Sequence, residues 1–278
     1  MKKMNANPLS LWLNGEFLPE AQARLSPLDR GFLFGDGLFE TLRAEKNGPL
    51  YLSEHLERLQ AAAEALKIFL PALDWRAIIE NLLKKNGLES AKVKILITRG
   101  VIQGAGTPSG VSPTTMVTAE AYQAPSYRKG WQLSIERNYP TSPLARYKSL
   151  NYLNCLLARQ AALDEGFDDA VMLDPEGFVA ECSSGSLLFA SSGSWAVSDS
   201  PHRLPSITEK KVLRLLEKRG VVVQKKSISV EDFVAAETVW LLNSLLGIMP
   251  VCRVEDIFLE GRTAEAASLR EEFLVEGS

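Results

Sequence analysis

Asn14-Gly15 stands between Leu11-Trp12-Leu13 and Glu16-Phe17-Leu18. Two short apolar runs joined by that dipeptide have few options, because both turn residues accept positive φ and a type I′ hairpin demands it. Asn47-Gly48 predicts a second hairpin, between 38–44 and 49–52. Ser53 is expected to cap a helix over 53–67, with Leu56, Leu59, Ala63 and Leu66 at helical spacing on its apolar side. Asp74 predicts another cap, and Gly87 the stop of that helix, with Ile78, Ile79, Leu82 and Leu83 inward. Val93, Ile95 and Ile97 alternate as a strand, and 114–122 reads as a further one. Hairpins mixed with helices make residues 1–122 a small α+β domain.

The polar, turn-rich 123–130 is the expected linker. Residues 131–278 then form a larger α/β domain: strands at 131–137, 170–173, 178–180, 221–223 and 239–242, helices at 150–163, 207–218 and 264–273. No repeat or low-complexity tract interrupts them.

Lys plus Arg is 31 and Asp plus Glu 34, so the formal charge is −3, with no basic excess for nucleic acid. No apolar run reaches the roughly 18 residues of a membrane helix. Lys2 and Lys3 imitate a signal start, but Asn5, Asn7 and Pro8 break any apolar stretch, so no export signal is expected. Cys155, Cys182 and Cys252 are too few and scattered for a disulfide framework or a zinc knuckle, which fits a reducing, cytoplasmic setting.

The two histidines, His55 and His202, are expected as a partly exposed helix residue and a loop residue, which leaves no triad or multi-His metal site. No phosphate loop of the G-x-x-x-x-G-K-[ST] type occurs. The glycine-rich 104–110 is followed by a strand and offers no helix N-terminus to an anion; it is expected as a loop free to cover a site. Gly31, Gly35 and Gly37, set among Phe32, Phe34 and Phe39, imply close backbone approach. Lys148 enters an apolar helix; half-buried there, its pKa should fall and it could form a Schiff base, although a lysine snorkelling from a helix start looks the same. Glu181 ends a strand before small residues, as an acid facing a planar ligand or a surface carboxylate would.

Taken in order, these segments resemble the fold-type IV pyridoxal-phosphate enzymes, a two-domain family that includes branched-chain aminotransferases, D-amino-acid aminotransferases and 4-amino-4-deoxychorismate lyases. The motifs are Asp29-Arg30-Gly31 with Phe34-Gly35-Asp36-Gly37-Leu38-Phe39-Glu40, then His55-Leu56-Glu57-Arg58-Leu59, Thr98-Arg99-Gly100, Lys148-Ser149-Leu150-Asn151, Glu181, and Asn243-Ser244 with Pro250-Val251. The resemblance implies that pyridoxal 5'-phosphate is the cofactor. Lys148 would bind its aldehyde and shuttle protons, Glu181 would pair with the pyridine nitrogen, and Tyr152 would reach the phenolic oxygen. Arg58, the backbone N–H groups of Ile207 and Thr208, and the Ser244 hydroxyl would hold the phosphate. Arg99, Asn243 and Phe32 would meet substrate. Ser186, Ser206 and Glu209 depart from the family's usual Asn, Gly and Arg.

Within the family, Phe32 replaces the tyrosine of the D-amino-acid enzymes, and Val101 and Ile102 stand where they place a histidine. The segment from Asn243 to Val251, like Glu181-Cys182, looks most like the lyases. That likeness implies conversion of aminodeoxychorismate to 4-aminobenzoate, a folate precursor, and pyruvate, with a class IV aminotransferase for branched-chain or D-amino acids as the runner-up and a non-catalytic binding module as the non-enzyme alternative. It also implies a homodimer with its site at the domain and subunit boundary, and leaves room for a synthase partner that delivers the substrate.

Overall fold

The computed structural model describes residues 9–104, 106–108 and 112–277, and the chain divides into two compact units. One runs to Gln123 and takes in Lys148–Asn151 and Gly277; the other holds Ala124–Tyr147 and Tyr152–Glu276. Four residues expected in the larger domain, Lys148–Asn151, therefore belong to the smaller unit.

The first unit contains β1 (Ser10–Leu13), β2 (Glu16–Pro19), α1 (Arg30–Phe34), β3 (Gly37–Glu45), β4 (Gly48–Pro49), α2 (Leu52–Leu66), α3 (Trp75–Asn86), β5 (Ala91–Thr98) and β6 (Thr115–Ala121). Among the described residues its strands form one antiparallel sheet in the order β2-β1-β6-β5-β3-β4. The first hairpin turns on Asn14 and Gly15 at φ 48° and 105°. Ala91, Val93, Ile95 and Ile97 on alternate positions of β5 are fully buried, the period-2 signature of a sheet covered on one face. Asp74 caps α3 by accepting the Ala77 N–H at 3.0 Å, and Gly87 ends it in the left-handed conformation.

Ser53 does not cap α2. The helix starts one residue earlier, from Tyr51 at φ 51°, because Leu52 is drawn into the core, and the Ser53 hydroxyl bonds to the Glu54 carboxylate. The buried side of α2 is Leu52, His55, Leu59, Ala62 and Ala63, which turns the helix so that His55 is buried rather than partly exposed.

The second unit contains β7 (Trp131–Glu136), α4 (Leu153–Asp164), β8 (Asp169–Leu173), β9 (Val179–Cys182), β10 (Ser186–Ser191), β11 (Ser194–Ser198), α5 (Ile207–Lys218), β12 (Val223–Lys226), α6 (Val230–Val234), β13 (Thr238–Asn243), β14 (Gly247–Val254), β15 (Ile257–Phe258) and α7 (Thr263–Glu276). Its mixed sheet runs β12-β11-β10-β13-β14-β7-β8-β9, with β15 on β14. Leu133, Val171, Val179, Phe189, Val239, Leu241 and Val251 fill its core with Phe233 of α6. The helix expected over 150–163 begins only at Leu153, because the residues before it are engaged elsewhere.

Candidate active site

In the first unit, Lys148 is placed by backbone pairing. The Phe39 N–H donates to the Lys148 carbonyl at 2.8 Å, the Leu150 N–H donates to the Gly37 carbonyl at 3.0 Å, and Ser149 bridges Leu38 in antiparallel register. The segment is an extra rung on the start of β3. Gly37 makes it possible: a Cβ there would lie 2.5 Å from the Ile97 carbonyl oxygen and 2.7 Å from Leu150 Cδ1. The half-buried Lys148 ammonium sits 4.7 Å from the centroid of the Phe39 ring, and so does that of Lys94 on β5.

Next to this rung, on the opposite pleat of β3, Glu40 is buried. Its carboxylate accepts Arg58 Nε at 2.8 Å, Arg58 Nη2 at 2.6 Å and His55 Nδ1 at 2.7 Å. Burial opposes ionisation of Glu40, but the Arg58 charge and hydrogen bonds outweigh it and hold the carboxyl at about 2. Burial pushes the His55 pKa down and, with the smaller effects of the Arg58 and Lys148 charges, outweighs the Glu40 hydrogen bond and charge that pull it up. His55 is thus a neutral donor that, with Glu40, fixes the Arg58 guanidinium.

Arg99 is placed differently from the expected substrate clamp. It is almost fully buried, and each of its five N–H donors has a protein acceptor: both Asp36 carboxylate oxygens at 2.8 and 3.0 Å, and the carbonyls of Leu66, Lys67 and Pro108 at 2.9, 2.7 and 3.2 Å. Arg30 also holds Asp36, at 2.8 Å, and reaches the Gly104 and Gly106 carbonyls. The two arginines thus brace the glycine-rich loop, of which Ala105, Ser109 and Gly110 lie outside the described residues, as do Lys2 and Lys3. Phe32, on α1, is 75% exposed.

In the second unit, Glu181 lies on β9, nearly buried, and accepts the Leu204 N–H at 3.2 Å. The turn that follows it is fastened from several sides. The Ser183 and Ser184 hydroxyls both donate to the fully buried Asp169, the Tyr152 hydroxyl donates to the Ser183 carbonyl at 2.8 Å, and Asn243 Nδ2 donates to the Ser184 carbonyl at 3.2 Å. Small residues are needed there: a Cβ on Gly185 would lie 2.5 Å from the Leu242 carbonyl oxygen. Burial raises the Tyr152 pKa, so the phenol stays neutral. Asn243 Oδ1 accepts the N–H groups of Leu245 and Leu246, so this side chain shapes the turn that carries Ser244 rather than standing ready for substrate.

α5 begins with two buried residues, Ile207 and Thr208, whose N–H groups have no protein acceptor among the described residues. Buried first-turn donors without partners form an anion seat. Ser206 caps the helix through the Glu209 N–H at 3.2 Å, and Glu209 is neutralised by a bidentate pair with Arg203 at 2.6 and 2.9 Å. Two of the three departures from the family pattern, Ser206 and Glu209, are thus a cap and a closed ion pair, and neither cancels the positive end of the helix.

Glu40, His55 and Asp169 are functional candidates to which sequence reasoning gave no role. The signal for Glu40 was present: Leu38, Glu40, Leu42 and Ala44 share one face of β3, so the carboxylate had to be buried and had to find partners. Among the described residues no cluster of three metal-ligating side chains forms, and no helix is long and apolar enough to cross a membrane.

The chain belongs to the amino-transferase class IV family, whose model matches residues 37–254. Aminodeoxychorismate lyase of Vibrio harveyi is 31% identical over 256 residues, covering 86% of this chain and 89% of that one. D-alanine aminotransferase of Listeria monocytogenes serotype 4b is 25% identical over 279 residues, covering 96% of both. The crystal structure of a T.th. branched-chain amino acid aminotransferase with pyridoxamine 5'-phosphate superposes with a TM-score of 0.87 at 27% identity, covering 97% of this chain and 94% of that one.

Proposed function

We propose that this chain is a pyridoxal 5'-phosphate-dependent lyase that converts 4-amino-4-deoxychorismate to 4-aminobenzoate and pyruvate. The residues present fit the cofactor's parts within each unit: in the second, the two buried N–H donors at the start of α5 and Ser244 would hold its phosphate, Glu181 its pyridine nitrogen and Tyr152 its phenolic side; in the first, Arg58 would meet the phosphate and Lys148 the aldehyde carbon. When bound, the cofactor supplies an aldehyde that condenses with amines and a cationic ring that takes up the electron pair left by a departing proton. Lys148 Nζ takes the proton from the ring carbon that bears the substrate nitrogen. The C–O bond at the adjacent carbon breaks and its electrons leave with the enolpyruvate oxygen. Lys148 returns the proton to the departing enol as it becomes pyruvate, and the ring becomes aromatic. Glu40 and His55 keep Arg58 oriented throughout.

The observation that carries this reading over transamination is Arg99. An amino-acid transaminase must clamp a carboxylate on the same carbon as the amine, whereas aminodeoxychorismate has none there, and every donor of Arg99 is already used inside the protein. Identity does not choose between the readings: the 31% to the Vibrio harveyi lyase stands beside 30% to a putative branched-chain-amino-acid aminotransferase of Methanocaldococcus jannaschii. The likeness to the T.th. branched-chain enzyme supports an aminotransferase as the second reading. The working form is a homodimer; Phe32, Leu33 and Phe34, exposed by 75%, 47% and 60%, give a second copy apolar surface to cover. Cofactor-loaded protein mixed with aminodeoxychorismate should release 4-aminobenzoate and pyruvate in equal amounts. No product, beside brisk amino transfer from an amino acid to 2-oxoglutarate, overturns the lyase in favour of the aminotransferase.

A further inference from the structure

We propose that Arg203 is a positioning residue for the cofactor's phosphate: it holds the Glu209 carboxylate off the first turn of α5 and so leaves the N–H groups of that turn free for an anion. The inference rests on the reading of α5 as the phosphate seat. It names the group that keeps the chain's own carboxylate out of that seat.

Ser206 and Glu209 have the spacing of a reciprocal helix cap. In such a cap the serine hydroxyl accepts the N–H of the later residue, whose carboxylate returns to accept the serine N–H. Only half of it forms here. Ser206 Oγ accepts the Glu209 N–H at 3.2 Å. The return bond is not made, because the Glu209 oxygens are engaged by Arg203 Nη1 at 2.6 Å and Nη2 at 2.9 Å. The Ser206 N–H therefore joins those of Ile207 and Thr208 in having no protein acceptor among the described residues. A completed cap would take that donor away.

A carboxylate in the first turn of a helix is stabilised by the same positive end that attracts a phosphate. An unheld Glu209 is thus a competitor built into the chain. Arg203 can hold it because the contact is bidentate and shielded, with the two side chains 12% and 7% exposed. Burial works against the Arg203 charge, but the Glu209 hydrogen bonds and charge outweigh it, with smaller help from Glu181 and Asp199, so its pKa rises. The guanidinium also cancels a negative charge that the phosphate would otherwise meet. The neighbouring Leu204 N–H donates to Glu181 Oε2 at 3.2 Å, so an effect at the ring end of the cofactor is the rival explanation.

The test titrates the full-length chain, freed of cofactor, with pyridoxal 5'-phosphate and with pyridoxal, which lacks the phosphate. A single cooperative melt shows that each variant is folded. Arg203→Met and Arg203→Gln should weaken pyridoxal phosphate binding about 10- to 100-fold and leave pyridoxal within about twofold. Arg203→Lys still pairs with Glu209 and should stay within about fivefold of wild type for both. Adding Glu209→Ala to Arg203→Met removes the competitor and should return the pyridoxal phosphate Kd to within about threefold of wild type. A Kd within about twofold of wild type in both the Met and Gln variants overturns the inference, and so does an undiminished loss in the double variant. Equal weakening of pyridoxal overturns it as well, because the effect then passes through Leu204 and Glu181. Wild-type protein that binds pyridoxal as tightly as its phosphate overturns the phosphate seat on α5 instead.

Discussion

Phe39 fixes Lys148 twice: its N–H donates to the Lys148 carbonyl at 2.8 Å, and its ring centroid lies 4.7 Å from the Lys148 ammonium. The lysine's position is therefore set by β3 and not by the helix that follows it.

That dependence makes Gly37 a sensitive site far from any chemistry of its own. Its backbone is not left-handed, so the cost of Gly37→Ala is steric: the added methyl meets the Ile97 carbonyl and Leu150 Cδ1, and the Lys148–Asn151 rung must shift. The variant should lose about 1–3 kcal/mol in urea unfolding, with a fall in kcat larger than the change in KM.

Glu40 should dominate the acid limb of stability. Its folded pKa, about 2, is depressed from the ordinary 4.5. A depressed carboxylate stabilises the fold fully above its unfolded pKa and loses that contribution as pH falls through the folded value, here between about 4.5 and about 2. The loss should be roughly 3 kcal/mol for wild type and absent in Glu40→Gln, read as the difference in slope of unfolding free energy against pH. At neutral pH the same variant should bind pyridoxal phosphate more weakly, because Arg58 loses its anchor.

Arg99→Lys separates a brace from a substrate clamp. Lysine has three donors for five acceptor contacts, and the Asp36 pairing is bidentate, so the variant should lose about 3 kcal/mol or more. Its KM, measured on the fraction that stays folded, should move little. A large KM rise with an unchanged Tm would restore Arg99 as the carboxylate clamp.

Tyr152→Phe removes the donor to the Ser183 carbonyl. Stability should fall by about 1 kcal/mol, and the cofactor's absorbance maximum should shift, since the phenol would face the chromophore.

Much of the fold could be read locally, because its signals are local. Asn14-Gly15 forces its turn, Asp74 and Gly87 bound α3, and α5 occupies Ile207–Lys218 as its apolar spacing requires. The β10–β11 hairpin was invisible because Ser192-Gly193 makes the positive-φ turn with a less distinctive pair than Asn-Gly. The start of α4 was misplaced because the rung that carries Lys148 is stabilised by a strand far earlier in the chain. The bracing of Arg99 was out of reach for the same reason: Asp36, its main partner, is 63 residues away, and nothing in Thr98-Arg99-Gly100 announces it.

The bond between Lys148 and the cofactor can be read directly. Protein loaded with pyridoxal phosphate, reduced with borohydride and digested should carry one phosphopyridoxyl group, on the peptide containing Lys148, and Lys148→Ala should carry none. A label on any other lysine in the wild-type chain, or no label after full loading, would contradict the role assigned to Lys148.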